Sequence, residues 1–271
     1  MCPRCCAVDR TAGQLGACRT TASVKVSSAT PHFGEEPALV GQGGSGTIFF
    51  CGCNLDCVFC QNFELSHMDT GKECSSEKIV ELALRLQEIG CENINFVTPT
   101  HVAHVIAEVI VTGRKKGLAK PTVYNCGGYE SVETLRYLEG LIDIYMPDFK
   151  YAEAEKGFKY SGVKEYPKAA TAALKEMYRQ VGPLVKDAQG VARKGVMVRH
   201  LVMPNDIADS RKVIEIVAAT APGCSINVMG QYRPAYRARE YPELLDYPNS
   251  RQIRELREYA DEMGLHREGM E

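Results

Sequence analysis

Beyond residue 45, two hydrophobic rhythms take turns along the chain. Short apolar runs, rich in β-branched and aromatic residues, stand at TIFFC (47–51), NINFVT (93–98), TVYNC (122–126), IDIYMPDF (142–149), GVMVRHLVM (195–203) and SINVMGQY (225–232). That is the make-up of buried strands. Between them apolar residues recur at three- and four-residue steps, as Ile79, Leu82, Ala83 and Leu86 do after the start signal Ser75-Ser76-Glu77. Similar stripes predict helices over 101–116, 131–139, 152–181, 208–220 and 249–263, with Pro204, Pro222 and Pro248 at the joins. Six strand–helix alternations predict an α/β fold around a parallel sheet, because parallel neighbours require a long crossover. A doubly wound sheet and a partial β/α barrel both satisfy the pattern, and both collect function at the C-terminal ends of their strands.

The predicted strand ends are chemically rich. They carry Cys53-Asn54, Thr98-Pro99-Thr100-His101, Asn125-Cys126-Gly127-Gly128, Asp148-Phe149-Lys150, Arg199-His200 and Gln231-Tyr232-Arg233. Loops are polar in any case, but hydrogen-bonding or charged groups at every end favour a site there. Residues 1–45 break the rhythm and are read as an irregular, cysteine- and turn-rich N-terminal extension packed on a main domain of 46–271.

Composition narrows the classes. A chain of 271 residues, 45% of them hydrophobic, can bury a large core. A formal charge of −2 leaves no basic excess for a nucleic-acid footprint. No apolar run is long enough to span a bilayer, and MCPRCCAVDR lacks the apolar core of a signal peptide. The twelve cysteines are therefore expected to be metal ligands and buried thiols in a reducing cytoplasm.

Cys53, Cys57 and Cys60 form C-x3-C-x2-C on one loop after the first run. Structural zinc takes four ligands in two spaced pairs, and the second pair is missing. Three thiolates on a short loop suit one face of a four-iron cluster and leave one iron with an open position. Cys51, two residues earlier, would share their face if the strand continued, and is read as a packed thiol. Asp148 and Lys150 share a face for the same reason, as a surface ion pair or as part of a site. Cys74, Cys91, Cys126 and Cys224 are scattered, as buried thiols are.

The C-x3-C-x2-C motif with Phe59 before its last cysteine resembles the radical S-adenosylmethionine superfamily. The CQN that ends it is similar to the C-H-N of pyruvate formate-lyase activating enzymes. CNLDCVFCQN, NINFVTPTH, VYNCGGYE, IDIYMPDFKY, RHLVMP and QYRPAY extend the resemblance over nearly the whole chain, to a branch related to that activating enzyme. The resemblance implies a partial (β/α)6 TIM-type barrel and a [4Fe-4S] cluster on Cys53, Cys57 and Cys60. S-adenosylmethionine would chelate the open iron, and one-electron reduction would cleave it to a 5′-deoxyadenosyl radical that abstracts hydrogen from a substrate. A donor such as flavodoxin or ferredoxin would supply the electron. The expected substrate is a protein such as a glycyl radical enzyme. The alternatives are a small molecule or peptide, and a non-catalytic iron–sulfur electron carrier or redox sensor.

The resemblance also distributes roles. Phe59 and Asn62 would lie near the adenine, Lys150 with Asp148 at the cofactor's carboxylate or ribose, and Asn125 at its ribose or amino group. Arg199, His200, Gln231 and Tyr232 stand at further contacting positions. The activating enzymes carry Gly-Gly-Glu after the second strand to bind the cofactor's ammonium, and here Pro99-Thr100-His101 align with it. Neutral His101 cannot replace a carboxylate, which leaves Thr98, Thr100, backbone carbonyls or the iron for that task. Cys2, Cys5, Cys6 and Cys18 are similar to an N-terminal C-P-R-x-C…G-x-x-G-x-C segment of the same relatives. A small zinc clasp is expected there, with unligated thiols or a second cluster as alternatives.

Overall fold

The apolar runs become parallel strands, each entering the sheet next to its predecessor. The computed structural model describes residues 2–68 and 70–268. Its strands are β1 (Lys25–His32), β2 (Ser45–Phe50), β3 (Lys72–Glu73), β4 (Ile94–Val97), β5 (Thr122–Cys126), β6 (Ile144–Pro147), β7 (Val185–Lys186), β8 (Ala192–Leu201), β9 (Ser225–Met229) and β10 (His266–Arg267). Its helices are α1 (Pro37–Val40), α2 (Phe63–His67), α3 (Ser76–Glu88), α4 (Ala103–Lys115), α5 (Val132–Tyr137), α6 (Ala154–Ser161), α7 (Tyr166–Val181), α8 (Ser210–Thr220) and α9 (Ser250–Glu262).

Spatial order runs β10-β9-β8-β6-β5-β4-β2-β1-β3. Strands β2, β4, β5, β6, β8 and β9 are parallel and sit in sequence order. The order never reverses, as it would in a doubly wound sheet. The result is an open, partial β/α barrel: β1 and β3 extend one edge with antiparallel pairing, and β10 ends the other.

Strand alternation sorts the core into two layers. Ile48, Phe50, Phe96, Tyr124, Tyr145, Val196 and Val198 pack outward, in one cluster with the stripes of the helices: Ile79, Ala83 and Leu86 of α3, Ile106 and Ile110 of α4, Leu174 and Met177 of α7. Val123, Ile144, Met146 and Met197, from the opposite face, pack with Ala38 and Leu39 of α1. A segment expected to pack on the main domain thus plugs the barrel interior.

Three helices start on side-chain caps: Ser75 Oγ accepts the Lys78 N–H, Ser131 Oγ the Thr134 N–H, and Asn249 Oδ1 the Arg251 N–H. The helix predicted over 152–181 is two. Gly162, left-handed at φ +63°, ends α6, and Pro167 lies in the first turn of α7. The extension is irregular only to about residue 24, since 25–32 form β1. Among the described residues no helix is long and apolar enough to cross a membrane.

Candidate functional site

The cysteine loop hangs from the C-terminal end of β2. Gly52, at φ +86°, turns the chain where a Cβ would lie 2.6 Å from the Cys18 carbonyl oxygen. Backbone bonds pin the loop to the end of α6: the Asp56 N–H donates to the Ser161 carbonyl (3.0 Å) and the Val58 N–H to that of Tyr160 (2.9 Å). Leu55, Val58 and Phe59 are buried beneath it. The N-terminal segment clamps it from outside. Arg4 donates to the Asn54 and Gly162 carbonyls (2.8 and 2.7 Å), and Arg19 and Arg237 grip Asp56 at 2.8 and 2.9 Å.

Cys53, Cys57 and Cys60 line one cavity of about 200 Å³ together with Phe59, Asn62, Thr98, Asn125, Asp148, Lys150 and Arg199. Each sulfur already has a polar partner. The Leu55 N–H points at Cys53 Sγ (3.4 Å), the Ser161 hydroxyl lies 3.0 Å from Cys57 Sγ, and Cys60 Sγ donates to the Ser66 hydroxyl (3.7 Å). Burial pushes all three thiols up, Cys57 to about 11, while the Lys150 ammonium pulls the other way. Thiolates form here when a bound metal supplies the opposing charge. Among the described residues no three His, Cys, Asp or Glu side chains close on a single metal ion. One ion is what structural zinc would require; an iron–sulfur cube takes one thiolate per iron. The donor set fits a cluster.

A charged rail crosses the cavity floor. Lys150 Nζ donates to Asp148 Oδ2 (2.7 Å), and Arg199 Nε donates to Asp148 Oδ1 (3.0 Å). Arg199 Nη2 donates to Asn125 Oδ1 (2.7 Å) and Nη1 to Glu35 Oε1 (3.2 Å). Burial works to raise the Asp148 carboxyl, but Lys150 and Arg199 outweigh it and hold it below the ordinary carboxylate range. Thr98 follows β4 at φ +59°, a strained conformation for a β-branched residue, with its N–H on the Asn125 carbonyl (2.9 Å).

The remaining residues singled out in the sequence lie elsewhere. His200 is fully buried away from the cavity: its Nδ1–H donates to the Phe149 carbonyl (2.7 Å), and Nε2 accepts from the Ser210 hydroxyl (2.9 Å). Burial lowers it to about 4, so it is neutral. Thr100 donates to Glu130 (2.5 Å), and His101 donates from Nε2 to the Cys51 carbonyl (2.8 Å); both line a separate cavity beside the N-terminal segment. Gln231 is exposed, its carbonyl accepting from Gln61 (3.3 Å). Tyr232 backs the Phe59 ring at 6.1 Å and donates to the Leu244 carbonyl (2.7 Å).

The zinc expected at Cys2, Cys5, Cys6 and Cys18 finds no support. Arg10 donates to Cys18 Sγ (2.8 Å), Cys6 Sγ accepts the Ala17 N–H (3.3 Å), and Cys5 Sγ faces the Cys2 carbonyl (3.7 Å). The thiols are engaged one by one instead of around a common point.

Sequence reasoning missed Glu35, Ser161 and Tyr166. Tyr166 ties two strand ends together: its hydroxyl lies 2.9 and 3.0 Å from the Gly127 and Asp148 carbonyls and accepts the Lys150 N–H (3.0 Å). Tyrosine in a helical stripe reads as core, and its hydroxyl gives no sequence signal. Glu35 falls in the extension expected to be irregular, where nothing marks it out, and it stands just ahead of the Glu36 that begins α1.

Known proteins agree with this geometry. Residues 39–158 match a family described as a 4Fe-4S single cluster domain. Methylornithine synthase (PylB) superposes with a TM-score of 0.54 at 14% identity, covering 79% of this chain and 60% of that one. TYW1 with a lysine-pyruvate adduct bound gives 0.51 at 13%, over 80% and 73%. HydG, a maturase of the [FeFe]-hydrogenase, gives 0.50 at 16%, over 78% and 47%. At such identities the likeness is one of fold, the partial barrel of radical S-adenosylmethionine proteins. Fold and cysteine loop define the class, a protein with a 4Fe-4S cluster domain on the partial β/α barrel that these structures share. Within that class the chain belongs to the family of "Uncharacterized protein MJ0674" of Methanocaldococcus jannaschii. The two are 32% identical over 271 residues, 97% of this chain and 74% of that relative.

Proposed function

We propose that the chain is an enzyme that cleaves S-adenosylmethionine reductively and takes hydrogen from a polypeptide substrate, in the manner of an activating enzyme for a glycyl radical enzyme. The observation that carries the reading is that Cys53, Cys57 and Cys60 share one cavity with Lys150, Asp148, Asn125 and Arg199. When bound, a reduced four-iron cluster supplies the electron that breaks the cofactor's carbon–sulfur bond. The three cysteines hold that cluster and spend no fourth thiolate on it. Lys150 keeps two N–H groups beyond the one given to Asp148, which suits a carboxylate or ribose hydroxyl. Phe59 offers an apolar wall to an adenine, and Thr98 and Asn62 offer polar edges. A polypeptide substrate is favoured because the sheet remains open, its edge strands leaving the barrel unclosed. Flavodoxin or ferredoxin would be the electron donor.

The test is anaerobic reconstitution with iron and sulfide, reduction by dithionite, and quantification of 5′-deoxyadenosine and methionine. Cleavage is expected in the wild type and absent in Cys57→Ala. A fully loaded, reducible cluster that never cleaves the cofactor would instead make the chain an electron carrier. Hydrogen transfer from the substrate into 5′-deoxyadenosine, read with deuterated candidates, separates polypeptide from small-molecule substrates.

A further inference from the structure

The cavity floor depends on a residue from outside the strand–helix units. We propose that Glu35 is a positioning residue of the cofactor cavity: it sets the Arg199 guanidinium and the Asn125 amide in the orientation in which S-adenosylmethionine meets them. The assignment rests on the function proposed above.

Glu35 precedes α1, the plug of the barrel interior, and its side chain is only 9% exposed. Three side chains of barrel strands donate to it. Arg199 Nη1 donates to Oε1 (3.2 Å), while Asn125 Nδ2 (3.2 Å) and Asn95 Nδ2 (3.1 Å) donate to Oε2. Arg199 also donates to Asn125 Oδ1 at 2.7 Å, so glutamate, amide and guanidinium close a triangle. Two of its corners, Asn125 and Arg199, line the cavity with the cluster cysteines.

The charge arrangement explains why the position matters. Lys150, Asp148, Arg199 and Glu35 alternate in sign, and each cation leans on a carboxylate that it does not monopolise. Without the Glu35 charge, Arg199 keeps one hydrogen-bonded carboxylate, Asp148, whose other oxygen already holds Lys150. A half-buried guanidinium then competes with the ammonium for one carboxylate, and both cationic groups facing the cavity shift. Neighbouring Glu36 is a contrast. It is buried and accepts two bonds from Asn227 (3.0 and 2.8 Å), and neither of these residues lines the cavity.

The experiment uses the full chain reconstituted anaerobically and reads three quantities: iron and sulfide content, S-adenosylmethionine Kd by equilibrium dialysis, and the change in the reduced cluster's EPR spectrum on cofactor addition. Glu35→Gln is expected to load a wild-type cluster, weaken cofactor binding at least tenfold and blunt the EPR change. Glu36→Gln should keep both readouts. Wild-type Kd and EPR response in a loaded Glu35→Gln protein would overturn the assignment and leave the proposed function standing. Absence of cofactor binding by the wild type overturns both. If Glu35→Gln fails to load, Glu35→Asp decides: it keeps the charge but is one methylene too short for all three donors. It should load and bind more weakly than wild type, and wild-type affinity would refute the assignment.

Discussion

Cys51 and Cys53 stand two residues apart, yet their thiols serve different cavities. Strand alternation alone would put both on one face. Gly52 interrupts it with a left-handed backbone, so Cys53 joins Cys57 and Cys60, whereas Cys51 is buried where Gly71 packs against its sulfur. Substitution at the two positions should therefore diverge. Cys57→Ala is expected to lose the cluster, read as loss of iron, sulfide and the charge-transfer absorption after reconstitution. Cys51→Ala should load like the wild type, and a shortfall of iron there would restore it as a ligand. Glu130 shows the same dependence on surroundings. The residue is 2% exposed and accepts from Thr100 and Tyr124, and burial raises its carboxyl to about 7.

At the scale of elements, the site is assembled by contacts between units that the sequence presents separately. The split at Gly162 puts Ser161 under Cys57 and lets α7 begin with Tyr166 below the ends of β5 and β6. Close approach there is enforced by Gly128, at φ +77°, where any Cβ would run into the Asp148 carbonyl. Tyr166→Phe removes the hydroxyl shared by Lys150, Gly127 and Asp148 and leaves buried backbone groups short of a partner. The expected cost is about 1–3 kcal/mol, or a Tm lower by roughly 2–5 °C in a chain of this size. The cofactor Kd should weaken in parallel, because Lys150 loses its backbone anchor. Differential scanning calorimetry with equilibrium dialysis checks both, and an unchanged Tm would remove Tyr166 from the account.

For the whole molecule, the sequence was legible wherever one strand or helix carried its own period. All six predicted parallel strands form, in sequence order, and the cysteine loop falls at the end of the first. What escaped was anything that depends on contacts between distant segments. Glu35 meets Asn95, Asn125 and Arg199 across separations of 60, 90 and 164 residues, and no local rhythm announces such a meeting. Arg4, on the cysteine loop 50 residues away, is a second case. His101 and His200 were drawn to the site by their place at strand ends, but burial commits their rings to backbone carbonyls.

The same burial fixes how the fold responds to acid. His101 and His200 are lowered to about 4 by burial, whereas Glu130 is raised to about 7. Near pH 5.5 the unfolded chain protonates both histidines and the folded chain neither, so unfolding takes up two protons there. Glu130 works in the opposite sense, being protonated when folded and ionised when unfolded. From these three groups, unfolding takes up a net single proton, and stability falls by about 1.4 kcal/mol for each pH unit lost between about 6 and 5. Glu130→Gln removes the opposing group. Its loss on acidification should steepen to about 2.7 kcal/mol per unit, and between about pH 6.5 and 7, where Glu130 nearly cancels the histidines and leaves the wild type flat, the variant should still gain stability as pH rises. Denaturant midpoints between pH 5 and 7.5 for the two proteins measure both slopes. Parallel curves would mean that Glu130 ionises in the folded chain as it does in water.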